Sequence, residues 1–471
     1  MVKRNLFSLF SGAGGMDEGF RLEGGFNLLA ANDVKSDASE TYRRNFKHSL
    51  MDLDKLPRRS ALSASSPTYF EGDVDKIDFN SLDVDEVDVI VGGPPCQDFS
   101  LVRGPTSERQ GVTVTRGRLY SHFMRSLAHL QPKMVVFENV PGLRSANGGS
   151  AYATIKNDFS QLSKRYGEIG NGLGNGLHTS SKNYTLLYSK ILDPTYIGVP
   201  QRRLRLIIIG IREDLITGGQ CQKEKMECII DRILSGTNKC FSKYPLTPIE
   251  VFTGKTLSDL EDDYCNAMEA YSGCADQVGT EAALRWKQEM DAYPVDLWKD
   301  YARLCNNGID EAERRKAMKE HKRILRDLGY WNRNLSDVSF KDGTNEIRKE
   351  SSSVSQRLYM IPPDKNHMFV KGTKWNVEGR NMSLVYRRLH PLKPSPTIVA
   401  YGGGGTWGYH YSRDRGKLTN RERARLQTFP DKFGFYGKDQ EVRAQIGEAV
   451  PCILGREIAK TIKDVINISS A

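Results

Sequence analysis

The amino-acid sequence predicts an α/β protein, a mixed and mostly parallel sheet with helices on both faces, accompanied by a second, smaller domain. Three observations carry this. Short apolar runs recur through residues 1–212, and each ends in a polar or glycine-rich turn. They are spaced as a parallel sheet with crossover helices requires. From 213 to 385 the rhythm stops, and it returns over 386–471. A chain of 471 residues is long enough for two or more domains and a substantial core.

The first predicted strand, residues 5–10, breaks into Ser11, Gly12, Ala13, Gly14 and Gly15 before a helix-like stretch over 16–22. Strand, glycine turn and helix form the nucleotide-binding entrance of a Rossmann-like sheet. The turn lacks the third spaced glycine of the dinucleotide fingerprint, which disfavours NAD. A second strand, 26–31, leads to Asn32 and Asp33, where a carboxylate can accept from both hydroxyls of a ribose. A third, 68–70, leads to Gly72, Asp73 and Val74, and Asp73 could accept from an exocyclic amine. Singly, such acids are more often turn formers or helix caps. The fourth, 89–91, runs through Gly92 and Gly93 into Pro94, Pro95, Cys96 and Gln97. A lone cysteine is usually a small buried hydrophobe. At a strand's carboxyl end, in a proline-fixed turn, it is also placed to be a nucleophile. The next run, 134–137, delivers Glu138, Asn139 and Val140, and a glutamate after four apolar residues is awkward to bury unless paired or protonated. After a strand over 184–192, residues 198–210 carry Arg202, Arg203 and Arg205 into an apolar strand. These arginines suit either an anionic partner or an ordinary charged strand start.

In this order the motifs resemble those of the DNA (cytosine-5)-methyltransferases. The matches are Phe10-Ser11-Gly12-Ala13-Gly14-Gly15; Asp33 with Tyr42, Asn45 and Phe46; Gly72-Asp73-Val74; and Pro95-Cys96-Gln97. Then come Arg116-Gly117 with Leu119, Glu138-Asn139-Val140, and Gln201 with Arg203 and Arg205. The C-terminal set is Leu418-Thr419, Arg421-Glu422, Leu426-Gln427, Phe429-Pro430-Asp431, and Gly447 with Ala449-Val450-Pro451. The resemblance implies a Rossmann-like S-adenosylmethionine-dependent methyltransferase sheet (1–212), a target-recognition domain (213–385) and a C-terminal return (386–471), with duplex DNA in the cleft between. It implies Cys96 as the nucleophile at cytosine C6, Glu138 as the acid at N3, and Arg205 on the base carbonyl. Arg203 would support the thiolate and Asn139 orient the loop. For the cofactor, S-adenosyl-L-methionine, it implies Phe10, Gly12 and Gly14 at the methionine part, Asp33 at the ribose, and Val34 at the adenine face. Asp73 and Val74 would meet the adenine edge, and Pro95, Leu119 and Val450 would complete the wall. No metal is implied. Two departures stand out: Ser8 replaces an acid often found two residues before the phenylalanine, and Gly447-Glu448 replaces the usual Gly-Asn.

Such an enzyme must flip its cytosine out of the duplex, because C6 is reached from above the ring plane. The segment 100–116, with Arg103, Arg109 and Arg116, is expected to close over flipped DNA. The competing readings are a tRNA cytosine-5 methyltransferase, which usually has a shorter variable segment, and a catalytically silent DNA-binding paralogue. Composition agrees with a polyanionic partner: 68 Lys and Arg stand against 58 acids, a net charge of +10. The insert 213–385 carries −2 and the remainder +12, so phosphate attraction is expected from the latter, including Arg387, Arg388, Arg413, Arg415 and Lys417. Within the insert a helix over 311–328 is expected, either reading DNA or lying on the surface with i,i+4 charge pairs. Residues 401–411 join the insert to the core through four glycines and then Thr406, Trp407, Gly408, Tyr409, His410 and Tyr411, a segment that could stack aromatics near a vacated base space or serve as a plain flexible hinge, and a helix is expected over 450–465. Eight cysteines without Cys-x-x-Cys spacing, no signal peptide and no membrane-spanning run predict reduced thiols in a cytoplasmic protein. The expected setting is a compact bacterial or phage modification enzyme, monomeric, without a membrane partner, and paired functionally with a restriction endonuclease.

Overall fold

The computed structural model describes residues 3–55, 60–80, 82–84, 86–95, 118–164, 182–236, 240–305, 308, 310–377, 384–400 and 408–470. It divides into two compact units. The first comprises Met1–Asp193, Leu204–Asn238 and Ala449–Ala471, and the second Pro194–Arg203 and Lys239–Glu448. These boundaries differ from the expected breaks after 212 and 385. The helix Gly219–Leu234 packs on the strand Tyr184–Leu192 and the C-terminal helix, which places it with the first unit. The return to the first unit comes only at Ala449.

Among the described residues ten strands are numbered in chain order: β1 (Arg4–Leu9), β2 (Phe26–Asp33), β3 (Ser49–Asp52), β4 (Ser60–Leu62), β5 (Thr68–Glu71), β6 (Leu82–Val84), β7 (Val89–Gly92), β8 (Met134–Asn139), β9 (Tyr184–Leu192) and β10 (Arg205–Arg212). Eight form one sheet in the order β3-β5-β2-β1-β7-β8-β10-β9, while β4 and β6 pair separately. The order changes direction at β1, which has β2 on one side and β7 on the other, both parallel. Such a switch point is where open α/β sheets bind ligands, outside the carboxyl ends of their strands. Only β10 runs against its neighbours β8 and β9. Its first residues therefore lie at the edge where β8 ends, in the register Ile207 to Glu138 and Leu206 to Asn139.

The central strands are continuous apolar runs because both faces of the sheet are covered. On one face Phe7, Leu9, Ile90, Val135, Phe137, Leu206 and Ile208 join one cluster with Tyr120, Phe123, Leu127 and Phe159, from the helices Arg118–Leu130 and Ser150–Ser160. The intervening residues, Leu6, Val89, Val91, Met134, Val136, Ile207 and Ile209, are equally buried. Helix α1 (Gly15–Glu23) crosses the C-terminal helix (Cys452–Ser469) at two glycines. A Cβ on Gly19 would lie 2.4 Å from the Arg456 amide nitrogen, and one on Gly455 2.6 Å from the Met16 carbonyl. The Arg4 guanidinium reaches Asn467 Oδ1 at 2.6 Å, so the two ends of this unit meet.

The second unit contains only isolated β-bridges among its described residues, and otherwise short helices and turns. One cluster gathers Tyr271, Trp286, Phe369, Tyr386 and Tyr409. The expected helix is present as Glu311–Asp327, with Arg314, Arg315 and Arg323 paired to Glu311, Glu320 and Asp327 three or four residues away, the surface-helix arrangement. Its buried side is anchored by His321, whose ring nitrogens meet Glu250 Oε1 at 2.8 Å and the Tyr244 carbonyl at 3.0 Å. Burial would lower the His321 pKa, but the Glu250 carboxylate outweighs it and the imidazole is held above its ordinary value. Glu250 is also the acid of a capping box with Thr247 at the helix Pro248–Thr253.

Candidate active site

Strand β1 ends in a backbone that few side chains adopt. Phe10 has φ +56°, Gly12 +53° and Gly14 +90°. A non-glycine residue at positive φ costs energy and clusters at ligand-holding turns. Gly14 is required for space as well, since a Cβ there would lie 2.5 Å from the Phe46 ring and 2.8 Å from Tyr42. This explains why Tyr42 and Phe46 accompany the glycine motif. The Gly12 amide donates to Asp33 Oδ2 at 2.9 Å, and the Lys35 amide to Oδ1 at 3.0 Å. Main-chain amides thus orient both oxygens of Asp33, and a carboxylate so held suits the hydroxyls of a ribose.

Val34, beside it, exposes 67% of its surface, an apolar face without a cover. Asp73 is exposed and caps a short 3₁₀ turn through the Asp75 amide. The Val74 side chain lies in the core at 2% exposure, so only its main chain can meet a ligand edge. The carbonyls of Val74, Asp75 and Ile77 all accept from Arg125 Nη2, at 3.0, 3.3 and 2.9 Å. Arg125 is a positioning residue for this loop that the sequence reading missed. It sits unremarked in an amphipathic helix, and only the tertiary fold brings it under residues 74–77. Leu119 packs against the core, Val450 is half-buried, and Pro95 is exposed. The open apolar face, the Asp33 carboxylate and the positive-φ turn together fit an adenosine bearing a short amino-acid tail.

The reaction centre is assembled at the adjoining strand ends. Glu138 Oε1 and Arg205 Nε form an ion pair at 2.9 Å, and each side chain is 12% exposed. The β10 reversal creates this pair across 67 positions of sequence. The other oxygen, Oε2, lies where a Cβ on Gly93 would be 2.7 Å away, so the carboxylate rests against the turn after β7. Asn139 Nδ2 donates to the Pro94 carbonyl at 3.0 Å while its Oδ1 accepts from the Val140 amide. Asn139 thereby fixes the backbone leading to Pro95. Cys96, Arg103, Arg109 and Arg116 lie outside the described residues.

Arg203 belongs to the second unit, where it is 3% exposed. Its guanidinium donates to the carbonyls of Ile398, Gly447 and Glu448 at 3.0, 2.9 and 3.4 Å. Gln201 joins the same scaffold, donating to Gln427 Oε1 and accepting from the Ile398 amide. The Glu448 side chain is exposed, and its carbonyl enters this network. The expected surface cations require correction. Arg388 is buried, with its guanidinium on the carbonyls of Leu358, His410, Ser412 and Arg415. Arg387, Arg415 and Lys417 are paired with Asp364, Glu422 and Glu350. The aromatic stack expected near residue 410 is also revised. Tyr409 and Tyr411 are core residues, and residues 401–407 lie outside the described part.

Comparison with known proteins converges on one assignment. A family model described as C-5 cytosine-specific DNA methylase matches residues 4–464. The DNA (cytosine-5-)-methyltransferase M.ApeKI of Aeropyrum pernix is 49% identical over 472 residues, covering 99% of this chain and 100% of the relative. The type II methyltransferase M.NgoFVII of Neisseria gonorrhoeae is 28% identical, covering 99% of this chain and 88% of its own. A crystal structure of a prophage-encoded DNA modification methyltransferase from E. coli shares the fold, with a TM-score of 0.51 at 20% identity over 99% of this chain and all of that one. The chain belongs to the C-5 cytosine-specific DNA methylase family and is a DNA (cytosine-5-)-methyltransferase of the type II restriction-modification kind.

Proposed function

We propose that this enzyme methylates C5 of one cytosine, flipped out of a specific duplex DNA sequence, with S-adenosylmethionine as methyl donor and Cys96 as covalent nucleophile. The observation that carries the reading is the Glu138–Arg205 pair seated against the Gly93-Pro94 turn, two residues before Cys96. Cytosine C5 is a poor nucleophile until the aromatic ring is interrupted. The Cys96 thiolate forms a bond to C6 while Glu138 delivers a proton to N3, which makes the C4–C5 edge enamine-like. Arg205 holds Glu138 and polarises the base carbonyl. Asn139 fixes the turn that aims Cys96, and Arg203 acts by bracing Ile398, Gly447 and Glu448 in the second unit. C5 takes the methyl group, its proton leaves to a base, and the C6–sulfur bond breaks as N3 returns its proton to Glu138 and the ring is restored. The donor supplies an electrophilic methyl; Asp33, Val34, Asp73 and the turn from Phe10 to Gly14 would hold it.

The second unit is the target-recognition element in this reading, and a cognate endonuclease is the functional partner. Among the described residues no helix is long and apolar enough to cross a membrane. The deciding experiment pairs bisulfite sequencing of plasmid from expressing cells with trapping on duplex DNA containing 5-fluorocytosine. Wild type is expected to give methylated cytosine in one sequence context and a stable adduct through Cys96, whereas Cys96→Ser gives neither. Turnover retained in Cys96→Ser, or methylation of tRNA in place of DNA, would overturn the reading.

A further inference from the structure

Ser8 stands where related chains often carry an acid, and its hydroxyl donates to a carboxylate that arrives from elsewhere in the fold. Ser8 Oγ meets Asp17 Oδ2 at 3.0 Å, from β1 to the first turn of α1, across the base of the turn from Ser11 to Gly14. Both residues are buried, Asp17 at 1% exposure, and Asp17 Oδ1 takes no hydrogen bond of good geometry among the described residues. A buried carboxylate ordinarily has a cation beside it. Here the adjacent acid, Glu18, holds the local cation Arg21 at 2.5 Å, and Arg21 also donates to the Asn45 carbonyl and lies over the Phe46 ring. Among the described residues no cation pairs with Asp17. The other ionisable groups facing it are Tyr42 from α2 (Ser36–Phe46), Tyr69 from β5 and Cys452 from the C-terminal helix, all driven upward by burial and so neutral. Asp17 is thus a buried negative charge answered only by neutral donors and the α1 amino end.

Resting on the reading of this turn as the seat of the cofactor's methionine part, we propose that Asp17 is a specificity-determining residue that makes the site prefer the cationic sulfonium of S-adenosylmethionine over the neutral thioether of S-adenosylhomocysteine. The two ligands share adenosine and amino-acid ends and differ in one methyl and one positive charge. A carboxylate screened by protein rather than water acts on that charge at a distance. It adds nothing to the thioether, so the substrate gains affinity while the product does not. Burial pushes the Asp17 carboxyl up to about 6, with Ser8 and Tyr42 opposing the rise. The preference should therefore weaken as pH falls and the carboxyl takes a proton.

Calorimetric titration of the full chain with each ligand separately tests this. Across about pH 5 to pH 8 the wild-type ratio of S-adenosylmethionine to S-adenosylhomocysteine affinity is expected to rise about tenfold. Asp33 and Asp73 serve groups common to both ligands, so their contributions cancel in the ratio. Asp17→Asn should flatten the profile, lowering S-adenosylmethionine affinity at the upper pH about tenfold while leaving S-adenosylhomocysteine within about twofold. Ser8→Ala keeps the carboxyl but removes a donor to its ionised form, and should move the inflection to higher pH. Equal losses for both ligands, or a flat wild-type ratio, would overturn the proposal. If wild type binds neither ligand, the cofactor reading fails with it, an outcome separate from a flat ratio. Should Asp17→Asn not fold, the wild-type and Ser8→Ala profiles decide.

Discussion

At the middle of the first unit, Val135, Phe137 and Ile208 pack in a cluster of apolar side chains. At comparable depth in the second sits Arg425, wholly buried. Its guanidinium is bidentate on Asp431 at 2.9 and 2.6 Å, with Nη1 on the carbonyls of Val251 and Arg333. Arg421 binds Asp342, Thr344 and the Phe433 carbonyl, and Arg388 gathers the carbonyls of five separate residues. A sheet satisfies its own backbone, so apolar side chains suffice to cover it. A unit of short helices and irregular chain leaves carbonyls without partners, and a planar cation with five donors answers several at once.

The comparison is broken or sharpened most strongly at Arg425. Arg425→Met should destabilise the second unit by about 3–5 kcal/mol, because Asp431 and several carbonyls lose their donor. Urea unfolding followed by hydrogen exchange should show the loss concentrated in residues 239–448 while S-adenosylmethionine affinity survives; uniform loss in both units would break the contrast. The His321–Glu250 pair comes next, and His321→Gln should cost about 1–3 kcal/mol. Because the folded-state value of His321 is raised above the ordinary 6.5, its contribution is complete below about pH 6.5 and is lost as pH rises through the folded value. The urea midpoint of the second unit should accordingly fall over that window in wild type and not in the variant. Smallest is Ile208→Val in the sheet, expected to cost about 1 kcal/mol without pH dependence, measured by the same unfolding curve.

The same contrast decides what could be read without coordinates. β1, β2, β5, β7, β8, β9 and β10 announce themselves as apolar runs closed by polar turns, because both faces of the sheet are covered. Glu138 and Arg205 were legible as charges at strand ends. That they touch depends on β10 running backwards, which no local pattern encodes. Arg388 was misread as a phosphate contact. By composition alone a cation that serves carbonyls is indistinguishable from one that serves DNA, and Arg388 shows the difference only through its burial. Arg125 and Asp17 were missed for a related reason. Arg125 acts on main chain 51 residues upstream and Asp17 on a side chain of the preceding strand, and no local pattern marks either.

The first unit's terminal segments lie side by side, with Arg4 on Asn467 and α1 crossing the C-terminal helix glycine to glycine. Rejoining the polypeptide there with a short linker and opening it in an exposed turn should give a circularly permuted enzyme with its sheet undisturbed. The crossing would then be built from neighbours in sequence, and the last helix could fold without waiting for synthesis of everything in between.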